Sequence, residues 1–466
     1  MAELLLDIGS THTKAVAVEI ANRELLATAA SPTTVDTDVR AGVRNAAAGI
    51  ASEIGLELDD FDAVHASSSA AGGLRLVAVG LVPDLTARAA NYAAASAGAK
   101  VVDVFSYGLS RSEVEEIRDA NPDVILLAGG TDGGNEDVLL DNASALADAE
   151  LACPVVVAGN KSAADEAADR LRGGGIADVR IADNVMPRID ELRIEPARET
   201  IRDVFMDSIT EAKGIAPAEE LVYGGFVPTP PAVLDGVSLL GETWAADRDL
   251  LVVEVGGATT DVYSVAEGDP TRSEVRQRGL DEPYVKRTVE GDLGVRWSAP
   301  SVVDAAHQRE IDLEQRFGLS ATDLDEPAAT RHASPETLPE TDADARIDAA
   351  LAHVAVTVAT DRHAGTLDRR MTPDGEITFQ EGKDLTEVPL ALGAGGVIVH
   401  NPDRAAVLDG VRYDDRAPDR LKPRSPTFYY DSAYVLFAVG LLARHGFDRE
   451  AVGELFESVS LEQVGS

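Results

Sequence analysis

The sequence predicts an α/β protein: two half-domains that each open on an acid-tipped hairpin, with an inserted, doubly wound parallel α/β domain interrupting the first. Three observations carry this. The run Leu251-Val-Val-Glu-Val-Gly-Gly-Ala-Thr-Thr-Asp261 continues into a second apolar run at 262–265, so a strand reaches an acid, two glycines, two threonines and another acid before a new strand begins. Leu4-Leu5-Leu6-Asp7-Ile8-Gly9-Ser10-Thr11-His12-Thr13-Lys14 repeats the design near the start. From about residue 73 to 185, short apolar runs alternate with amphipathic helical stretches, the pattern of a parallel sheet covered on both faces.

The hairpins have a definite chemistry. Gly256 and Gly257 lack side chains and free φ, so backbone N–H groups can turn toward an anion. Thr259 and Thr260 add hydroxyls, and Glu254 and Asp261 are placed to hold a hydrated Mg²⁺ rather than the anion itself. One such motif reads equally well as a glycine turn with solvated acids. Two of them, far apart in sequence, suggest a nucleoside triphosphate gripped by two halves of a protein. A third glycine turn, Leu392-Gly393-Ala394-Gly395-Gly396-Val397, follows an apolar run and precedes Ile398-Val399-His400.

The order of the three motifs resembles the actin-like (ribonuclease H-like) ATPase superfamily. The resemblance implies ATP with Mg²⁺, the first two motifs as phosphate loops and the third as the adenosine loop. Asp7, Glu254 and Asp261 are then the catalytic and metal-holding acids. Gly9, Ser10, Thr11, Thr13, Lys14, Gly256, Gly257, Ala258, Thr259 and Thr260 would line the phosphates, and Gly393, Gly395 and Gly396 the adenosine. Lys14 either points at a phosphate or flanks a strand. The glycine turn within 126–135 has a similar shape to the third motif, but its position ahead of the second hairpin is against it.

Composition narrows the class. The chain has 466 residues, 45% of them hydrophobic, enough for two or three domains with sizeable cores. Its formal charge of −40, from 81 acids and 41 bases, argues against nucleic acid or an anionic membrane as partner. The acids are scattered, which reads as a solvated surface suited to a high-salt cytoplasm. The single Cys153 excludes an intramolecular disulfide or a thiolate-held cluster within one chain. Glu3 and Asp7 with no basic leader read as no signal peptide. Apolar runs such as 434–443 fall short of the roughly 20 residues of a membrane helix. A soluble, cytoplasmic protein is expected.

Taken in order, residues 3–67 read as three strands, a helix around 39–54 and a strand at 62–67. The alternating region reads as strands at 74–79, 100–105, 123–128, 154–158 and 178–181. Helices fall at 85–97, 110–120 (Ser110 as N-cap, Glu113 completing a capping box), 136–149 and 162–171. A helix at 197–212 follows. Val227-Pro228-Thr229-Pro230-Pro231 reads as a return linker, and 319–344, rich in Asp, Glu, Pro and Thr, as an exposed loop. Amphipathic helices are expected at 345–362 and 431–444. Gly291-Asp292 reads as the start of a helix, either touching the nucleotide or serving as a plain N-cap, and His363 as a packed helix-end histidine. The domains divide as 1–67, 68–226 and 227–466.

Further strings narrow the resemblance: 68–74 (Ser-Ser-Ala-Ala-Gly-Gly-Leu), 126–135 (Leu-Leu-Ala-Gly-Gly-Thr-Asp-Gly-Gly-Asn), Ala158-Gly159-Asn160, Asn184-Val185-Met186-Pro187, 287–294 (Arg-Thr-Val-Glu-Gly-Asp-Leu-Gly) and Arg362-His363-Ala364-Gly365. Together they resemble the methylaspartate (glutamate) mutase accessory proteins, over nearly the whole chain. Glu254 stands where the second phosphate loop usually begins with Asp, one methylene longer. The resemblance implies a reactivating, chaperone-like ATPase whose partners are the subunits of an adenosylcobalamin-dependent mutase, from which it releases damaged cobalamin; a homodimer stays open. Two other classes also stay open: a small-molecule kinase or hydantoinase-type ATP-dependent enzyme, and a nucleotide-binding interaction protein that does not hydrolyse. The rhythm of 98–134 is like the parallel-sheet domain with which mutases hold cobalamin. The cobalt-ligating Asp-x-His-x-x-Gly string is absent, so the insert should not ligate cobalt. Imitation of the mutase's cobalamin subunit is one reading of it, and a scaffold or a site for another ligand is the other.

The acidity gives a first test. Thermal stability should rise between about 0.1 and 1 M salt, as the screening length falls from about 10 to 3 Å. A melting temperature flat across that range would remove the high-salt reading.

Overall fold

The structure, a computed structural model, describes residues 2–9, 12–32, 39–56, 60–68, 74–83, 89, 93, 99–149, 151–189, 191–212, 222–223, 225–279, 282–372 and 375–465. The chain opens with strands β1 (Ala2–Ile8), β2 (His12–Glu19) and β3 (Glu24–Pro32), then helix α1 (Val39–Ile54) and strand β4 (Ala63–Ser68). A run of parallel strands follows: β5 (Leu74–Gly80), β6 (Ala99–Ser106), β7 (Val124–Leu127), β8 (Val155–Val157) and β9 (Val179–Ile181). Strand β10 (Phe226–Pro228) then joins the edge of β4. The second half supplies β11 (Leu250–Val255), β12 (Thr260–Val265), β13 (Val275–Gln277), β14 (Val285–Glu290), β15 (Thr366–Thr372), β16 (Gly375–Glu381), β17 (Leu390–Ala394), β18 (Thr427–Asp431) and β19 (Leu461–Gln463).

By compactness the chain divides into two units, one of Glu3–Ala15 and Ala29–Ala232, the other of Met1–Ala2, Val16–Thr28 and Val233–Ser466. Two sheets repeat one strand order. The first runs β3-β2-β1-β4-β10 and the second β14-β12-β11-β17-β18, with β19 added at its edge. Counted within each sheet, both read 3-2-1-4-5. In both, strand 4 runs parallel to strand 1 and strand 5 parallel to strand 4. Strands 1 carry their acids, Asp7 and Glu254, next to their C-terminal ends.

The five strands β5 to β9 form a separate sheet, in chain order between β4 and β10, with order β6-β5-β7-β8-β9 and every neighbouring pair parallel. Its inner strands β7 and β8 are the continuous apolar runs that burial on both faces demands, and Ile125, Leu127, Val155 and Val157 are fully buried in its core. The helix after β6 spans Arg111–Ala120, and Ser110 and Glu113 form the expected capping box. Most of the helix expected over 85–97 lies outside the described residues.

Four readings of the sequence are corrected. The proline-rich stretch is no linker: Val227 and Pro228 belong to β10, and Thr229-Pro230-Pro231 is the first turn of the helix Thr229–Glu242. Proline fits that turn, because its missing N–H would have no partner inside the helix. Much of 319–344 is helical, with a 3₁₀ turn at Ala321–Leu324 and a helix at Asp325–Ala333. Its acids act locally: Asp323 with Ser320, and Asp344 with Thr341, close capping boxes. The helix Asp342–His363 is buried on nearly every side rather than amphipathic, with Ala349–Ala352, Val354–Val356, Val358 and Ala359 all inside. Residues 427–431 are strand β18, so the next helix begins only at Leu436.

The central helix carries one buried acid. Asp348 is 2% exposed and takes Arg296 at 2.7 Å and Arg331 at 2.5 Å. Removing it strands two guanidiniums with little access to water, so Asp348→Ala should cost about 3–5 kcal/mol, read as a lowered denaturant midpoint. A variant as stable as the parent would show that these cations do not depend on Asp348.

Candidate functional site

In the second sheet the hairpin β11–β12 pairs Glu254 with Asp261 and Val255 with Thr260, leaving residues 256–259 as the turn. The carbonyls of that turn are fixed from one side. Val295 N–H donates to Gly256 O at 3.1 Å, and the N–H groups of Arg296 and Trp297 donate to Gly257 O at 2.8 and 2.9 Å. Gly294 permits this approach, since a Cβ there would lie 2.2 Å from the Ala258 carbonyl carbon. Within the turn, Gly256 N–H closes on Thr259 O at 2.8 Å. Among the described residues, the N–H groups of Gly257, Ala258 and Thr259 are paired with no acceptor. Fixed carbonyls and unpaired donors make a turn that favours an anion.

The two threonines divide their duties. Thr260 is fully buried and donates its hydroxyl to Leu293 O at 2.7 Å, while Thr259 stays half-exposed with its hydroxyl on Asp261 Oδ2 at 3.2 Å. The other oxygen, Asp261 Oδ1, accepts from Arg287 Nε at 2.9 Å and Nη2 at 2.5 Å. Burial works against the Arg287 charge, but Asp261 and the Tyr263 ring beside it hold the guanidinium's pKa above its ordinary value. Burial, then Asp261, pushes the Tyr263 phenol well above its usual range. Arg287 comes from β14, opposite Tyr263 in the ladder. Glu254 is half-buried at the end of β11.

The third glycine turn lies on the neighbouring strand of the same sheet. β17 pairs with β11 so that Gly393 sits opposite Val253 and Ala394 opposite Glu254. Its glycines differ in kind. Gly395 has φ +100°, and a Cβ on it would fall 2.2 Å from Val255 O; one on Gly393 would meet Ile398 and Leu408 below 3 Å. Gly396 has open space around it, with only the Tyr434 hydroxyl at 3.8 Å. The second hairpin and the third turn are therefore brought together by direct strand pairing.

In the other unit, Asp7 is 6% exposed near the end of β1. Its Oδ1 accepts from Ser67 Oγ at 3.1 Å and Thr229 Oγ1 at 2.6 Å. Gly9 follows, half-buried, and Thr13 and Lys14 lie on β2 with Thr13 fully buried. Ser10 and Thr11 lie outside the described residues. A carboxylate aimed by two hydroxyls suits a hydrated Mg²⁺. Asp261 suits it less, because a buried guanidinium already faces Oδ1 and would repel a second cation.

Gly291-Asp292 starts no helix. It is a turn after β14, the next helix begins at Ala299, and Asp292 takes both Nη groups of Arg362, at 2.8 and 2.9 Å. Arg362 also meets Glu290, whose burial raises its pKa. His363 is fully buried, with its ring nitrogens 2.9 Å from Thr288 Oγ1 and Ser264 Oγ. Burial and then Lys286 and Lys383 push its pKa well below the usual value, so it stays neutral and structural. Ser67, Thr229, Arg287 and Gly294 escaped the sequence reading. Arg287 stood in a quoted string without a role, and Thr229 was hidden by the prolines after it.

The geometry defines a class: an α/β protein with two sheets of like strand order, each first strand ending near an acid, one of which leads into a turn able to meet an anion. The family model described as MutL protein matches residues 3–458. Protein MutL of Clostridium tetanomorphum is 44% identical over 445 residues, covering 95% of this chain and 96% of that protein. The chain belongs to the MutL protein family. Among solved structures, nucleotide-free acetone carboxylase matches with TM-score 0.40 and 13% identity, over 94% of this chain and 69% of that one. The activator of 2-hydroxyisocaproyl-CoA dehydratase from Clostridium difficile, with bound ADPNP, matches with TM-score 0.33 and 10% identity, over 98% and 97%. Likeness this distant decides neither fold nor activity.

The glycines separate structure from binding. Gly395→Ala should destabilise the protein by more than about 2 kcal/mol without any nucleotide, because strain at positive φ adds to a backbone clash. At Gly257 a Cβ would touch only the Arg296 side chain, at 3.4 Å. Gly257→Ala should therefore change stability by less than about 1 kcal/mol. Equal melting losses in the two variants would refute the distinction.

Proposed function

We propose that the protein is an ATP-dependent accessory factor that reactivates an adenosylcobalamin-dependent mutase of the glutamate (methylaspartate) type. The observation that carries the ATP part is the repeated 3-2-1-4-5 sheet, each copy with an acid near the end of its first strand. That duplication is what an actin-like ATPase requires, with the stretch 68–226 as an insert in 1–67 and 227–466. The client is supported by the strings that resemble the mutase accessory proteins.

On this reading the N–H groups of Gly257, Ala258 and Thr259 receive phosphate oxygens. Gly9, Ser10, Thr11, Thr13 and Lys14 serve the first phosphate loop, and Gly396 leaves room for the adenosine. Asp7 would hold a Mg²⁺ through its water shell, and Glu254 is the candidate metal acid of the other unit; such an ion would supply neutralisation of the phosphate charge. Asp261, tied to Arg287, keeps Oδ2 and the Thr259 hydroxyl in a fixed orientation. The formal net charge of −40 suits a high-salt cytoplasm.

The test is ATP turnover by the purified chain, alone and with a mutase carrying inactive cobalamin. Turnover that rises with the mutase, together with recovered mutase activity, is expected. Turnover that depends instead on a small acceptor would make the protein a kinase or amide-cleaving enzyme, and binding without turnover an interaction protein. Asp7→Ala should lower turnover by about 100-fold or more while the fold survives. Parental rates in that variant would remove Asp7 from the site.

A further inference from the structure

Several of the strings that resemble the accessory proteins have no part in the phosphate-loop hairpins. Residues 126–135, Asn160 and 184–187 meet at one place in the parallel sheet β6-β5-β7-β8-β9. Its strand order reverses between β5 and β7, and in sheets of this kind ligands sit beyond the carboxyl ends of the strands at that reversal. A cavity of about 280 Å³ lies there, lined by residues that follow β5 and β7 and by 184–189.

Its walls are specific. Leu81, Val82, Ala128, Val185, Met186 and Ile189 supply the apolar surface, and among the described residues no charged side chain lines it. One end is backbone, at Gly129, Gly130 and Thr131. Gly129 and Gly130 have φ of +133° and +72°, and a Cβ on Gly130 would lie 2.2 Å from Asn135 O. The N–H groups of Gly129, Gly130 and Thr131 are paired with no acceptor among the described residues. Two buried amides hold this loop. Asn160 accepts from Gly133 N–H at 3.1 Å and donates to Gly134 O and Asn135 O at 3.3 and 3.2 Å. Asn184 donates to Gly130 O and Asp132 Oδ1, both at 2.9 Å, and accepts from Met186 N–H. Val82 and Ile189 are 41% and 76% exposed at the mouth.

We infer that this cavity binds a neutral, flat, bicyclic heteroaromatic base. The described walls are predominantly apolar side chains, against which a phosphate or carboxylate would lose its hydration. A heteroaromatic ring has apolar faces for the side-chain walls and ring nitrogens for the N–H groups, whereas an aliphatic ligand would bury those donors unmatched. Met186 adds a thioether, which packs well against aromatic rings. A cavity of about 150 Å³ accepts benzene, so about twice that volume matches two fused rings. Such a base comes from two sources, a purine nucleoside or the benzimidazole of a corrinoid's nucleotide tail. The corrinoid source rests on the accessory-factor reading. No histidine lies between His65 and His307, so a corrinoid held here by its base would receive no histidine ligand from the insert.

The experiment titrates the full chain, with ADP saturating so that the phosphate-loop site is filled, with 5,6-dimethylbenzimidazole, adenosine and heptanamide. One of the two bases should bind, and Val82→Trp, which fills the mouth at a partly exposed position, should weaken it more than about tenfold. Dimethylbenzimidazole as that base indicates the corrinoid source, adenosine the nucleoside. If Val82→Trp does not fold, Met186→Ala is read instead, with a several-fold weakening expected. No binding of either base, heptanamide binding as tightly, or base binding untouched by the variants would overturn the inference. These titrations need neither mutase nor ATP turnover, so failure here is separate from failure of the reactivation reading.

Discussion

Three backbone hydrogen bonds from residues 295–297 decide what the turn at 256–259 can be. They end on the Gly256 and Gly257 carbonyls, and with the Ser298 hydroxyl on Ala258 O and the Gly256 N–H on Thr259 O every carbonyl acceptor of that turn is taken. What remains facing outward is donor, without any lysine or arginine being required. The bonds form only because Gly294 lets the chain lie against Ala258, and because the buried hydroxyl of Thr260 holds Leu293 just before it. The anion preference of the hairpin is thus made by a loop more than thirty residues away in sequence, through packing that an aligned set of charges could not replace.

The acids at these strand ends are treated differently. Asp7 is oriented by the neutral hydroxyls of Ser67 and Thr229. Asp261 is joined to a buried guanidinium, and removing either partner would leave an uncompensated charge in the interior. One carboxylate is therefore held by neutral donors, and the other by a buried charge. The same economy recurs at Asp348, where a single buried acid gathers two arginines from separate helical and loop segments.

Much of this was legible in the sequence, and the failures have physical causes. Glycine, threonine and acid in a short span show directly as a hairpin, because those residues are chosen for backbone freedom and local bonding. Strand pairing is not local. Arg287 acquires its meaning only when β14 is set beside β12, which no spacing reveals. Thr229 was misread because prolines mark both linkers and first helical turns. The acids of 319–344 suggested solvent exposure, whereas Asp323 and Asp344 are spent on helix starts. The helix at 342–363 lacks a polar face because sheet and helices surround it, so the usual amphipathic pattern was never there to find.

The place where the chain returns from the parallel sheet has a mechanical meaning. Strand β10 is three residues long, and the residue immediately after it, Thr229, holds Asp7 by its hydroxyl. A threonine hydroxyl bond tolerates only a few tenths of an ångström of stretch before it weakens. The carboxylate near the head of the chain is therefore latched to the point where the chain rejoins its own sheet, 222 residues later, by one hydroxyl bond beside that of Ser67.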